Sequence, residues 1–180
     1  MAGKEFQLSL FNMKSKKIFG GSLLKGSNPK EKRPVSTKHP MHIVLRSSHT
    51  NGGRSFLVKR NSTVIDRIVK NQITRWGLRL YRYENVGNHI HLLVKTTHRA
   101  HLKGFLRSMT GLIARHVLGA ERGSGKFVKF WCARPFSRIV SWGREYRSVL
   151  NYFEKNQLQA LGFDLSALAR ELDATRPNSS

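Results

Sequence analysis

The chain has 180 residues, enough for one domain with tails and a buried core. Its 33 Lys and Arg against 10 Asp and Glu give a formal net charge of +23, the electrostatic footprint of a polyanion binder. A single cysteine, Cys132, excludes an intrachain disulfide and a zinc site built on several thiolates, and no long apolar run or signal-peptide pattern occurs, so a cytoplasmic protein is expected.

Residues 1–37 read as a flexible basic arm, with Lys14, Lys16, Lys17, Lys25, Lys30, Lys32 and Arg33 scattered among Gly, Ser and Asn. Such an arm either adds phosphate contacts or is a solvated tail. From there the elements alternate. Met41-His42-Ile43-Val44-Leu45-Arg46 reads as a strand, and Asn51-Gly52-Gly53 as a turn. Ser62 is placed to cap a helix that carries Ile65, Ile68, Val69 and Ile73 on one face and ends at Gly77. Leu78 to Val86 alternates as a strand, Gly87-Asn88 turns, and a second strand returns through His89. A long helix follows over 99–118, with Leu102, Phe105, Leu106, Met109, Leu112, Ile113, His116 and Val117 on one face. After a Gly123-Ser124-Gly125 loop come a strand near 136–141 and a third helix over about 143–158. Strand, helix, strand, strand, helix, strand is the order of a ferredoxin-like split βαβ domain, an α+β fold with an antiparallel sheet. Its bounds are taken as 38–160, with 161–180 as a C-terminal tail.

The returning strand, Asn88-His89-Ile90-His91-Leu92-Leu93-Val94-Lys95, puts His89 and His91 on one side and Ile90, Leu92 and Val94 on the other. Two imidazoles side by side on a rigid strand either hold a divalent metal or are two surface histidines. From Asn85 to Ala120 there is no Asp or Glu, so a metal here leans on imidazole and the surroundings are basic. The histidine face is either the open side of the sheet or lies beneath the second helix.

The order and spacing of several blocks resemble the REP-associated tyrosine transposases, a branch of the HUH superfamily of single-strand nucleases, over about 39–162. Their Asn-His-Val-His-Leu-Leu hallmark is nearly reproduced by Asn88-His89-Ile90-His91-Leu92-Leu93. The opening strand resembles His42 to Arg46 followed by Arg54-Ser55-Phe56-Leu57. The later blocks resemble Phe130-Trp131-Cys132-Ala133-Arg134, Tyr152-Phe153-Glu154-Lys155-Asn156 and Ala160-Leu161-Gly162. The resemblance implies binding of single-stranded or hairpin DNA and a divalent ion, Mg2+ or Mn2+, on His89 and His91. It also implies a tyrosine on the second long helix that attacks the scissile phosphorus. That position falls on His116, the polar residue a turn later falls on Ala120, and no tyrosine lies between Tyr83 and Tyr146. His116 is thus a third metal ligand beside His89 and His91, an inert member of the apolar stripe, or a nucleophile or base in place of the tyrosine.

Phosphate contacts are expected from Arg46, Arg54, Lys95, Arg99, Lys103, Arg134 and Arg138, with Trp131 and Phe130 either stacking on unpaired bases or plugging the core. In the arm, Gln7-Leu8-Ser9-Leu10-Phe11 resembles the peptide by which bacterial replication and repair proteins dock on the DNA polymerase sliding clamp, Leu10 and Phe11 filling an apolar pocket. Otherwise the arm folds back on the domain. Three functions compete: a metal-dependent transposase or nuclease at the nucleoid, a domesticated non-cleaving DNA-binding module on the clamp, and an RNA-binding protein.

Overall fold

The computed structural model describes residues 19–20, 33–119 and 129–160. The elements are β1 (Phe19–Gly20), β2 (Met41–Arg46), α1 (Lys59–Arg75), β3 (Arg79–Asn85), β4 (His89–Lys95), α2 (Arg99–Leu118), β5 (Phe136–Ile139) and α3 (Arg144–Ala160). The strands form one sheet in the order β1-β5-β2-β4-β3, and every pairing is antiparallel. Strands β5-β2-β4-β3 and helices α1 and α2 make up the expected split βαβ arrangement, because each helix carries the chain across a neighbouring strand.

Register decides which side chains meet. Met41, Ile43 and Leu45 of β2 stand opposite Val94, Leu92 and Ile90 of β4. All six are buried under α1 and α2, where Ile65, Val69, Phe105, Met109 and Ile113 complete the main core. Burying each such side chain contributes ~1.5–3 kcal/mol, so this apolar alternation fixes the register, and a slip of one residue would bring the histidines inward. The two helices pack closely at Gly104, where an added Cβ would lie 2.1 Å from the Trp76 ring. The Trp76 indole N–H donates to Ser108 Oγ at 2.9 Å, and Ser108 Oγ donates to Gln72 Oε1 at 2.7 Å.

Two expectations are corrected. Helix α1 begins at Lys59 rather than at a Ser62 cap, and the Ser62 hydroxyl instead donates back to the Lys59 carbonyl. The turn before it is held by the Asn61 amide, which donates to Gly53 O and Ser55 O. The second concerns the histidine face, which is neither bare nor covered by α2. Helix α3 lies there, with Val149 and Phe153 buried against Leu93 and Val140, and Tyr81, Tyr146 and Leu150 around them. The chain reaches that face through Gly143, at φ +91°, a conformation that favours glycine. Glu145 Oε2 then accepts the Ser141 N–H at 2.7 Å at the start of the helix.

Candidate metal and DNA site

On the α3 side of the sheet, Arg46 stands opposite His89, Val44 opposite His91, and His42 opposite Leu93. This diagonal brings His42 over His91, ring centroids 5.5 Å apart and 17° from parallel. His42 Nε2 and His91 Nδ1 share a hydrogen bond of 3.2 Å. The His89 and His91 centroids are 4.7 Å apart, and His89 Nδ1 bonds Asn88 Oδ1. Helix α3 closes one side. Its Phe153 ring is 5.3 Å from His42 and 5.8 Å from His91, and the Tyr152 ring lies 5.9 Å and 5.6 Å from the same two. Phe153 is wholly buried, whereas Tyr152 is 46% exposed, so Phe153 anchors the helix and the residue before it is open to solvent.

Electrostatics keep these imidazoles neutral. Burial, helped by Arg138, lowers the His42 pKa to about 4, and burial, helped by His89 and His42, lowers that of His91 to about 3. His89 is also lowered, by burial and then by Arg46. A neutral imidazole has one lone-pair nitrogen, as a metal ligand requires. His91 Nε2 is buried and has no hydrogen-bond partner, which costs free energy unless something fills it. With Nδ1 of both His89 and His91 engaged, Nε2 of each is left to coordinate, and the pair therefore fits a divalent ion.

The remaining donors come from other elements. Asn156 lies one turn beyond Tyr152 on α3, and its amide N–H donates to the Tyr152 carbonyl at 2.7 Å, leaving its own Oδ1 as an acceptor. Glu84 of β3 stands opposite His91 and is buried, its carboxylate 2.9 Å from Arg82 Nε. Arg82 also donates to Gln157 of α3 at 3.1 Å, tying that helix to the sheet.

A family model described as "Transposase IS200 like" matches residues 35–156. The chain belongs to the IS200-like transposases. No curated protein matches it. Among solved structures, this transposase-family chain is similar to a REP-associated tyrosine transposase bound to a REP hairpin. The two share 11% identity and a TM-score of 0.57, over 73% of this chain and 74% of the other. A second similar structure is a protein of Deinococcus radiodurans classed as a transposase, at 19% identity and a TM-score of 0.41, over 72% of this chain and 98% of that one. The first likeness is one of fold.

Within this transposase fold the expected residues divide between two faces. His116 belongs to α2, which packs on Ile90, Leu92 and Val94, so it lies on the opposite side of the sheet from His89 and His91. Among the described residues no three His, Cys, Asp or Glu side chains gather into a metal cluster, so the three-histidine site is not assembled. Arg46, Lys95 and Arg138 share the histidine face, Arg138 lying 3.6 Å from Glu145. Arg99 and Lys103 lie on α2 and Arg134 precedes β5, away from the histidines, while Arg54 is exposed in the 3-10 turn Gly52–Arg54.

Trp131 is a plug rather than a platform. It packs against the core, 6.0 Å from Phe56 and 5.0 Å from Phe130, and its N–H donates to Thr110 O at 3.1 Å. Tyr83 stands opposite Leu92 on the helix side; its hydroxyl donates to Asp66 at 2.8 Å, and burial and that carboxylate push its pKa far upward. Gln7 to Phe11 lie outside the described residues. The sequence reading did not single out His42 or Tyr152, whose rings lie within 6 Å of the His91 ring, nor Glu84, opposite His91 in the sheet, nor Asn156, one turn beyond Tyr152. Alternation alone placed His42 on the polar side of β2, and Tyr152 and Asn156 have the i, i+4 spacing of one helical face.

Proposed function

We propose that the protein is a single-strand DNA transposase or nuclease in which Tyr152, not His116, is the nucleophile. The observation that carries this reading is the Tyr152 ring, half exposed and 5.6 Å from the His91 ring on the histidine face. In the proposed step Tyr152 Oη loses its proton to solvent and forms the new bond to the scissile phosphorus. A deoxyribose oxygen leaves with the bonding pair and takes up a proton. The phosphotyrosine ester keeps the energy of the broken bond for rejoining. His89 and His91 would hold Mg2+ or Mn2+, with Asn156 Oδ1 as a further oxygen donor. Bound there, the ion would polarise the phosphate and offset charge developing on its oxygens.

His42 acts through His91. With His42 Nε2 accepting a hydrogen bond from His91 Nδ1–H, His91 is held in the tautomer whose lone pair is on Nε2, the orientation a ligand needs. Arg46, Lys95 and Arg138 supply positive potential to a DNA strand crossing this face. DNA as substrate is supported by the net charge of +23 and by the hairpin bound to the similar transposase. Among the described residues no helix is long and apolar enough to cross a membrane.

The test incubates the full chain with end-labelled hairpin oligonucleotides carrying single-stranded flanks, in Mn2+ and in chelator, and resolves products on denaturing gels. A covalent protein–DNA adduct that forms in Mn2+, persists in His116→Ala and disappears in Tyr152→Phe is the expected result. An adduct retained in Tyr152→Phe would overturn the assignment. Tight binding with no adduct on any hairpin would favour a DNA-binding module alone. For the arm, Gln7 to Phe11 would dock the protein on the sliding clamp, and a Leu10→Ala, Phe11→Ala variant would lose capture by purified clamp.

A further inference from the structure

Two consecutive residues of β3, Tyr81 and Arg82, serve the same face of the sheet. Strand side chains alternate, so this needs an interruption. The register of β3 against β4 shifts between Leu80 and Arg82. Before the shift Arg79 stands opposite Lys95. After it Arg82 stands opposite Leu93 and Glu84 opposite His91, with Tyr81 as the extra residue of a bulge. Unbroken alternation from Arg79 would have put Tyr83 opposite His91. The bulge instead sends Tyr83 to the other side, where its hydroxyl meets Asp66 of α1, and brings Tyr81, Arg82 and Glu84 to the face under α3. Re-aiming a side chain in this way is a common use of a bulge.

Both Tyr81 and Arg82 hold α3, toward opposite ends. Tyr81 packs edge-on against Trp142, just before Gly143, and against Tyr146 in the first turn, with ring centroids 5.5 Å and 5.8 Å away. Trp142 is pinned in turn, its N–H donating to Lys38 O at 3.1 Å. Near the other end, Arg82 Nη2 donates to Gln157 Oε1 at 3.1 Å. The same guanidinium meets the Glu84 carboxylate through Nε at 2.9 Å. Tyr152 lies along the helix between these two attachments. Val149 and Phe153 fill the core there, but apolar burial is non-directional. It settles which side of the helix faces the sheet more firmly than where the helix sits along its axis. The Arg82 contact is directional, and its planar fork joins a carboxylate on the strand to an amide on the helix. Lysine at that place would keep the charge and lose the two-way geometry.

We propose that Arg82 is a positioning residue for the nucleophile: aimed at α3 by the bulge and braced by Glu84, it holds Gln157 and so sets where Tyr152 stands relative to His91. The inference rests on the reading of Tyr152 as nucleophile, and it adds to that reaction a residue that acts through α3. Attack on phosphorus tolerates little error, since a displacement of about 1 Å at the reacting atoms can cost roughly 100-fold in rate.

The experiment uses the full chain and a fluorescein-labelled hairpin oligonucleotide with single-stranded flanks. It separates hairpin affinity, read by anisotropy in chelator, from the single-turnover rate of adduct formation in Mn2+ at saturating protein. Arg82→Lys should form the adduct roughly 10- to 100-fold more slowly, from misplacement of the attacking oxygen. Its hairpin affinity should match the wild type, because the charge is kept. Gln157→Ala should show the same split. Gln157→Glu, which still offers Arg82 an acceptor oxygen, should keep the wild-type rate. The Arg82→Lys, Gln157→Ala double variant should be no slower than the slower single variant, since both changes remove one contact. A wild-type adduct rate in Arg82→Lys, or a slower rate that merely follows weakened hairpin binding, would overturn the positioning role and leave Tyr152 as nucleophile. A wild-type adduct mapped by mass spectrometry to a residue other than Tyr152, or no adduct on any hairpin, would remove the nucleophile reading and this inference with it.

Discussion

The two faces of the sheet are made by the same strands and differ in almost every physical respect. The face under α1 and α2 is a closed apolar core, set by Ile43, Ile90, Leu92 and their neighbours, all essentially without solvent contact. The face under α3 buries polar groups instead: His42 and His91 are each less than a tenth exposed, stacked, and bonded to one another, and His91 Nε2 has no partner. Both faces bury apolar side chains, the second through Leu93, Val140, Val149 and Phe153, but only the second also holds stacked, buried imidazoles whose polarity the apolar burial has to offset. A fold can hold two imidazoles in a costly neutral, partly unsatisfied state only where the opposite face of the same strands is well packed.

The sharpest way to break this comparison is to remove chemistry without removing packing. Tyr152→Phe should abolish adduct formation, with a loss of roughly a thousandfold or more, yet leave the melting temperature within a degree or two, because the hydroxyl lies on a half-exposed ring. A large fall in melting temperature would mean that Tyr152 is structural.

The next largest contrast sets Phe153→Ala against Phe105→Ala. Both rings are wholly buried, so each truncation should destabilise by about 3–5 kcal/mol in denaturant unfolding. Only the Phe153 variant should also broaden or shift the imidazole signals of His42 and His91, which its ring touches. Equal disturbance of the histidine signals by both variants would show that the faces are not independent.

His42→Ala should lower affinity for Mn2+ by about 10- to 100-fold, the usual effect of losing the group that orients a ligand, and His42→Asn should recover part of it. Titration calorimetry on the full chain reads this directly, and unchanged affinity would leave His42 a packing residue. On the helix face, Gly104→Ala should cost about 1–3 kcal/mol by forcing Trp76 off its Ser108 bond, with metal affinity unaffected.

The pH dependence is the smallest and most specific test. Both histidine pKa values are lowered in the folded chain, to about 4 for His42 and about 3 for His91, against an unfolded value near 6.5. Between those limits the unfolded chain binds protons that the folded chain refuses. Their contribution is therefore fully present above about pH 6.5 and is lost as pH falls toward 4 and then 3. Unfolding free energy in chelator should decline over that window, and the decline should flatten in a His42→Asn, His91→Asn variant.

The sequence by itself determined the order of strands and helices and the placing of His89 and His91 on one face, because strand alternation and helical stripes are local patterns that burial then enforces. Family membership was legible for the same reason, carried by blocks whose spacing survives in a single chain. Only the tertiary structure decided which helix meets the histidines. A sequence pattern gives the face a helix offers and not the face of the sheet it lands on. From the sequence, the histidine face is either open or covered by the second long helix, with its stripe containing His116, and the third helix does not enter that choice. The turn at Gly143 and the burial of Val149 and Phe153 against Leu93 bring α3, with Tyr152 and Asn156, to that side. The packing of α2 on Ile90 and Leu92 takes His116 to the other. His42 was hidden in the same way: its alternation was visible, but its stacking on His91 depends on a diagonal contact between two strands 49 residues apart in the chain.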